Sequence, residues 1–534
     1  MALTRRNFLL RVGQAGGFGA AFLSMQALGL VPAGVSEIEP MAVAPGTGNG
    51  VKGVILGGGI AGLVAAYELR ALGFACTVLE VRERPGGRNW TVRGGDTIEF
   101  TDGTVQHCAF EPGHYQNVGP ARLPSTHKNM LGYCRKLGVA LEVEINTSRS
   151  SLLVNDKANG GKPMVQREAI NDTRGHVSEL LGKCIRSGAL DEEMTQEDRE
   201  RMLAFLGIYG PLNASGKYVG SDRAGYTVDP GAGDDAGTLS TPLSMEVLLD
   251  ENLWDGLLYE EDHDWQATMF QPVGGMDRIP YAFAKELGDV VQYGAPVTEM
   301  RKTSMGVRVG YTQGGAAKVV EADFCFCAMP LTMLRKIPCD LSAPYRKVVD
   351  ECSYAGWYKI AWESRRFWEQ DYNVYGGLEF VTPGCSPVWL PSEGLFSERG
   401  VLVSGYDDAY AEPFGGMTLE QKLEASRSSV ERLHPGHGKE LEKPIFVDWK
   451  KIPHNEGSWV DTYEPSGARN LGPMYGERVS IDPGYEVLLQ PDGPIYFVGD
   501  HVSHIVGWQE GAAVSSVRAV KMLSARVKSG GVAG

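Results

Sequence analysis

Val51 to Leu56 is a short apolar run followed at once by Gly57-Gly58-Gly59-Ile60-Ala61-Gly62, and then by a helical pattern that reaches Ala71 and closes at Gly73. Ala75 to Glu80 is a second apolar run that ends in an acid. Short apolar runs bounded by glycine read as buried strands, so this stretch predicts strand, glycine turn, helix, strand. Near the other end, Pro494 to Asp500 predicts a strand ending in Gly499-Asp500, and Gly507-Trp508-Gln509-Glu510-Gly511-Ala512 opens a helical stretch to about Ala525. Between them, Trp357 to Trp362 is strand-like, Cys325 and Cys327 read as alternate residues of a strand, and a helix contains Leu131 to Leu137. From 166 to 264, charged leucine-bearing stretches such as Glu192 to Leu206 predict amphipathic helices, and the Gly-, Ser- and Asp-rich segment Gly210 to Gly237 predicts long loops.

The first residues follow a different rule. Thr4-Arg5-Arg6-Asn7-Phe8-Leu9 precedes a Gly- and Ala-rich apolar run from about Val12 to Val31, and Ala42-Val43-Ala44 has the small-x-small form of a cleavage site. Residues 1–44 therefore read as a twin-arginine export signal, which places the mature protein in the periplasm or outside the cell and makes the twin-arginine translocon a partner during export. The alternative is a retained membrane anchor, because the run approaches the roughly 20 residues that span a bilayer.

Composition narrows the class. With 534 residues, 43% hydrophobic and 22% charged, the chain is globular and large enough for several domains. Its 69 glycines are about 13% of the chain against an average near 7%, the mark of many tight turns and close backbone approaches. A formal charge of −15 argues against nucleic acid as a partner and leaves small molecules. Nine cysteines without a Cys-x-x-Cys pair read as mostly buried thiols. His107 and His114 near Cys108 form no recognised ligand run, and no metal is assigned.

The glycine turn carries the first chemistry. Strand, G-x-G-x-x-G and helix in that order bring backbone N–H groups and the positive end of a helix to a pyrophosphate. Glu80 stands about 20 residues beyond the glycines, where a carboxylate accepts ribose hydroxyls. Gly57, Gly59, Ile60, Ala61, Gly62, Glu80, Val81 and Arg82 are thus candidate dinucleotide contacts.

Arg82-Glu83-Arg84-Pro85-Gly86-Gly87-Arg88 resembles the GG motif of the flavin amine oxidase family. Met269 to Asp277, Pro296-Val297-Thr298, Tyr358-Lys359-Ile360 and the Gly499-Asp500 and Gly507-Trp508 segments extend the likeness from Val51 to about Ala525. It is strongest to bacterial exported flavin monoamine oxidases and L-amino acid oxidases. The resemblance implies non-covalent FAD on an α/β fold: a Rossmann-like FAD-binding domain of the amine oxidase type from 50–105, 265–345 and 485–527, a mixed-sheet substrate-binding domain from 106–165 and 346–484, and a helical insertion at 166–264. It also implies that Gly87 and Arg88 run along the diphosphate, Val297 pairs its backbone with adenine, Asp500 bonds the ribityl chain in place of the more usual Glu, and Gly499, Trp508 and Gln509 close the flavin site. Whether the protein forms a homodimer is left open.

Substrate residues follow from the same likeness. Asn117 to Pro124 resembles the Gly-x-x-Arg motif of L-amino acid oxidases, which sets Gly119, Pro120, Ala121 and Arg122 beside the flavin and puts Arg122 also on the substrate carboxylate, where a guanidinium makes two parallel charged bonds. A structural ion pair is the alternative for Arg122. Lys359 matches the lysine that holds a water near flavin N5, unless it points outward from an edge strand. Trp508 resembles one wall of an aromatic enclosure for an uncharged amine, with the Gly507 carbonyl beside it for the substrate ammonium. At Trp389-Leu390-Pro391, relatives carry a tyrosine where Leu390 stands, and the lost bond costs about 1.5–3 kcal/mol.

The leading expectation is oxidative deamination of L-amino acids to 2-oxo acid, ammonia and hydrogen peroxide, by hydride transfer from Cα to flavin N5 and reoxidation by molecular oxygen. The alternatives are an oxidase of amines lacking a carboxylate, a monooxygenase decarboxylating an amino acid to an amide, and a non-catalytic exported flavoprotein.

Overall fold

The computed structural model describes residues 43–463 and 483–530. The export signal expected over 1–44 lies outside them apart from its last two residues, as do 464–482 of the expected substrate-binding portion.

The predicted strand-turn-helix-strand unit forms from Lys52–Leu56, Ile60–Ala71 and Ala75–Leu79. These strands sit inside a five-stranded sheet ordered Val291–Gln292, Ala75–Leu79, Lys52–Leu56, Phe324–Cys327, Ile495–Phe497, parallel throughout. Alternation divides its side chains between two cores. Ile55, Val78, Phe324 and Phe326 pack with Leu63, Val64 and Leu69 of the first helix and with Val520 and Leu523 of Gln509–Lys528. Val54, Leu56, Cys325, Cys327 and Phe497 pack on the other side with Met300, Val307 and Val309 of a three-stranded antiparallel sheet, Val297–Thr303, Gly306–Gln313 and Ala316–Ala322. Each such buried Val, Leu, Ile or Phe contributes about 1.5–3 kcal/mol. Cys325 and Cys327 are thus alternate residues of a strand as the pattern predicts, and all nine cysteines are free, six of them buried.

A second, seven-stranded sheet is mixed, ordered Met164–Val165, Leu152–Asn155, Gly377–Thr382, Val388–Leu390, Arg399–Asp408, Trp357–Arg365, Glu442–Asp448. Leu152–Asn155 runs parallel to Gly377–Thr382 and the other pairs are antiparallel. Tyr358, Ile360, Trp362, Val388, Leu390 and Leu402 face the helix Leu419–Leu433, which starts at a Thr418–Gln421 capping box. Ala361, Trp389, Val401 and Val403 line the opposite core with Trp449 and, at its edge, Tyr406.

Residues 166–264 carry the helices Gln166–Arg186 and Gln196–Tyr209. The second begins later than the expected Glu192, because the Thr195 hydroxyl caps it by accepting the Asp198 amide, leaving Glu192 to Met194 in the turn before it. The long loop expected from Gly210 to Gly237 contains one strand, Tyr226–Val228, paired with Thr238–Leu239. Among the described residues no helix is long and apolar enough to cross a membrane.

Candidate active site

A cavity of about 410 Å³ lies across the C-terminal ends of the parallel strands, lined by the residues that follow them: Gly57 after the first, Glu80 to Arg82 after the second, Ala328 to Pro330 after Phe324–Cys327 and Gly499-Asp500 after the last. That is where a doubly wound sheet leaves its binding crevice. Gly59 caps the helix Ile60–Ala71 without a side-chain bond, so the first helical N–H groups face the cavity. A Cβ at Gly57 would come 3.1 Å from the Ala328 carbonyl oxygen, and one at Gly59 would meet nothing nearer than 4.0 Å; the cradle is backbone, open to an anion. Gly62 has another role. It lies off the wall, and a Cβ there would sit 2.0 Å from the Gly57 carbonyl oxygen, so its hydrogen is what lets helix and turn touch.

Charged groups are fixed around the cradle. The buried Glu80 carboxylate accepts the Gly58 amide at 2.7 Å and the Arg82 amide at 2.9 Å. Arg88 forms a two-pronged pair with Asp500, which also accepts the Gly507 amide at 3.1 Å. Burial raises the Asp500 carboxyl, but the Arg88 charge and bonds outweigh it and hold the group below its ordinary pKa. Ile60, Ala61, Val81, Arg82, Gly87, Val297, Trp508 and Gln509 complete this wall, and Asn89, unremarked in the sequence, is held in it by donating to the Gln509 side chain at 2.6 Å.

At the far end the second sheet closes over the cavity. Gly119 and Pro120 are on the wall; a Cβ at Gly119 would collide with the Arg88 carbonyl oxygen at 1.9 Å. Trp357, Tyr406, Trp449, Trp459, Gly507 and Trp508 supply the rest. Lys359, Arg122 and Ala121 stand just behind this surface. Lys359 faces inward, not out from an edge: its Nζ donates to the carbonyls of Asn117 at 2.9 Å and Gly119 at 2.6 Å. Burial, reinforced by the Arg122 charge, brings its ammonium from 10.5 down to about 7.

Arg122 is buried between two indoles, 4.2 Å from the Trp265 ring centre and 4.4 Å from that of Trp389. It donates to Asn146 and hydrogen-bonds the Tyr259 side chain, its charge reaches the Glu144 carboxyl, and among the described residues no carboxylate lies within ion-pair distance. Glu144 is nearby, its Oε1 accepting the Trp389 indole N–H at 3.1 Å, and burial lifts it to about 7. Trp265 packs 5.0 Å from Trp508, and His127 meets Trp508 edge-on at 4.9 Å.

Leu390 requires a correction. It is not at the site: strand alternation buries it on the opposite face with Val388 and Leu402, and Trp389, one position earlier, is the residue that faces Arg122. Its lack of a donor therefore removes nothing from the enclosure. His114 also lies elsewhere, with Glu111 and the fully buried Glu363, a carboxylate that Lys443 reaches at 2.7 Å and Arg399 at 3.3 Å, so the group is an ion-pair cluster.

A parallel sheet with a phosphate cradle at its strand ends, roofed by a second sheet that carries an aromatic, cationic chamber, defines a dinucleotide-dependent oxidoreductase. A family model for flavin containing amine oxidoreductases matches residues 60–523, and the chain belongs to that family. The flavin-dependent L-tryptophan oxidase of Lentzea aerocolonigenes is 26% identical over 499 residues, spanning 89% of this chain and 98% of that one. An L-amino-acid oxidase of Pseudechis australis is 24% identical over 494 residues, spanning 89% and 87%. The fold is also that of putrescine oxidase solved with putrescine (TM-score 0.57, 19% identity, 89% of this chain and 99% of that one). Cyclohexylamine oxidase from Brevibacterium oxydans gives a TM-score of 0.56 at 16% identity, over 90% and 99%. The cofactor is FAD, and the residues present fit it: an open backbone cradle at a helix N-terminus suits the diphosphate, and the Glu80 carboxylate at the second strand end suits ribose hydroxyls.

Proposed function

We propose that this oxidoreductase is an L-amino acid oxidase, converting an L-amino acid, oxygen and water to a 2-oxo acid, ammonium and hydrogen peroxide. The observation that carries this reading is Arg122, a buried guanidinium bonded to the neutral Asn146 amide and the Tyr259 side chain, with no carboxylate within ion-pair distance among the described residues. Burying an unpaired charge is costly, and a substrate carboxylate supplies the missing partner. The Trp265 and Trp389 rings, 4.2 and 4.4 Å from the guanidinium carbon, hold the group in place, and a planar guanidinium fixes a carboxylate by two parallel bonds. Two of the relatives named above, an L-tryptophan oxidase and an L-amino-acid oxidase, support the same substrate class.

Bound FAD supplies the redox chemistry, taking two electrons from the substrate and passing them to oxygen. The chain's own residues bind and orient. Gly57, Gly59 and the start of the first helix hold the diphosphate, Glu80 the ribose, and Asp500, fixed by Arg88, the ribityl chain. Trp508 and the neighbouring indoles exclude water and favour the uncharged amine, with Gly507 beside them on the cavity wall. Lys359, poised near neutrality and tied to Asn117 and Gly119, exchanges a proton with water at the reacting end.

The test is anaerobic mixing of the oxidised holoenzyme with L-amino acids, D-amino acids and amines lacking a carboxylate, following the visible flavin band. Bleaching by L-amino acids, with 2-oxo acid formed in air and the response lost in Arg122→Met, is the expected result. Bleaching by amines alone overturns the reading, and carbon dioxide with an amide in place of the 2-oxo acid moves it to a decarboxylating monooxygenase.

A further inference from the structure

Beside the chamber lies a carboxyl group that none of the steps above uses. Glu144 ends the strand Leu141–Glu144, and Asn146, two residues on, accepts from Arg122. The same stretch of chain reaches Arg122 a second time through Trp389, whose ring centre lies 4.4 Å from the guanidinium carbon and whose indole N–H donates to Glu144 Oε1 at 3.1 Å. The other oxygen, Oε2, is buried and has no hydrogen-bond partner among the described residues. A buried carboxylate oxygen left bare is costly while it carries charge, and a proton on it removes that cost.

The groups around this carboxyl define what it can do. Burial pushes it towards the neutral acid and Arg122 pulls it back towards the anion, so that it titrates at about 7. Glu393, whose carboxylate accepts the Gln271 amide at 3.2 Å beside Glu142 at 3.0 Å, adds a smaller push in the direction of burial. Tyr259, beside Arg122, is kept protonated by burial, and Met269, paired with Glu144 across the sheet, brings no charge. Lys359, its Nζ 5.5 Å from the Trp389 ring centre, is the other group here that titrates near neutrality. In the empty site, then, the anion within electrostatic reach of Arg122 is Glu144. A substrate carboxylate brings a second anion to the same guanidinium, and like charges repel strongly where water is excluded.

We propose that Glu144 is the built-in counter-charge of Arg122: it carries the negative charge while the site is empty, takes one proton from water onto Oε2 as a substrate carboxylate arrives, and returns that proton when the product leaves. This rests on the amino acid oxidase reading and gives it a proton requirement, because a ligand with a carboxylate is bound together with a proton and an amine lacking one is not.

The test titrates benzoate, a carboxylate without an amine, into flavin-loaded Lys359→Met, in which the second titrating group is gone, and follows proton uptake with an indicator dye in weakly buffered solution. With Glu144 ionising at about 7 and a like charge added at the guanidinium, benzoate affinity falls roughly 10- to 20-fold from about pH 6 to about pH 9, and about half a proton or more is taken up per flavin near neutrality. Adding Glu144→Gln, which still accepts the Trp389 N–H and cannot ionise, abolishes both effects. Trp389→Phe in the same background keeps a ring over Arg122 and removes a bond that favours the ionised form, so the fall in affinity moves to higher pH; this variant tests the proposal even if the glutamine variant fails to load flavin. Affinity independent of pH, no proton uptake, uptake that persists with Glu144→Gln, or a profile unmoved by Trp389→Phe overturns the proposal. Arg122→Met, measured in parallel, separates the two claims: benzoate binding lost in Arg122→Met but independent of pH in Lys359→Met refutes the role of Glu144 alone. Benzoate binding unaffected by Arg122→Met, with reduction by benzylamine only, removes the amino acid reading as well.

Discussion

Replacing Lys359 by methionine makes the electrostatics of the chamber measurable as stability. The folded protein brings this ammonium from 10.5 to about 7, through burial and then the Arg122 charge. At about 1.36 kcal/mol per pH unit, the difference is a penalty of about 5 kcal/mol on the charged form. The sign follows from proton counts. Between about pH 7 and 10.5 the unfolded chain keeps a proton that the folded chain has released, so the penalty is full below pH 7 and fades as pH rises towards 10.5. Methionine removes the penalty and deprives the Asn117 and Gly119 carbonyls of their donor, a loss of about 1 kcal/mol each. Lys359→Met is then about 3 kcal/mol more stable than wild type at pH 6 and about equal to it at pH 9, while its turnover falls. Thermal unfolding of the flavin-loaded proteins across that range reads the effect as a Tm difference that shrinks with pH. A Tm difference that is constant or grows with pH refutes the argument.

Three further outcomes are expected. Gly62→Ala places a Cβ 2.0 Å from the Gly57 carbonyl oxygen; backbone on both sides cannot yield without moving the helix off the strand, at about 1–3 kcal/mol or more, and the purified variant has a visible-to-ultraviolet absorbance ratio well below wild type. Glu510→Ala removes the acceptor of the Asn129 amide (3.0 Å), the Asn129 side chain (2.7 Å) and the Met130 amide (2.8 Å) at the start of the helix Lys128–Lys136. It costs about 1–2 kcal/mol, read as faster hydrogen exchange at residues 129–130. For the N-terminal segment we propose twin-arginine export: lysine at both Arg5 and Arg6 retains the protein in the cytoplasm, and cell fractionation that still finds it outside refutes that reading.

The parts of the site that sequence made legible are those whose chemistry depends on local order. Gly57 to Gly62, Glu80 and the Gly499-Asp500 and Gly507 to Gln509 segments each combine an element boundary with a residue type that the boundary demands, and all but Gly58 and Gly62 line the cavity. The chamber was harder to read because its walls depend on register between strands distant in sequence. Trp265 reaches Arg122 from the end of the insertion, and Trp389 reaches it from the second sheet. Tyr406 arrives only through a bulge, and without its partner strand nothing marks Gly405 as the extra residue. The misplacement of Leu390 has the same origin: a shift of one residue changes the face of a strand, and the Trp-Leu-Pro string does not say which of its first two members is inside.

The order of the strands sets when the cofactor can be captured. The sheet is assembled from stretches at 52–79, 291–327 and 495–497, with its last member at an edge beside Phe324–Cys327. Asp500, Gly507, Trp508 and Gln509 follow that member and complete the cavity lining that Gly57 and Gly59 begin. During synthesis the cradle for the diphosphate therefore emerges hundreds of residues before the wall that completes it, and its helix waits for the packing partner that Gln509–Lys528 provides. The pocket is therefore finished only when residues 495–509 have joined the sheet, and truncation before them abolishes flavin loading even when everything before the cut has folded.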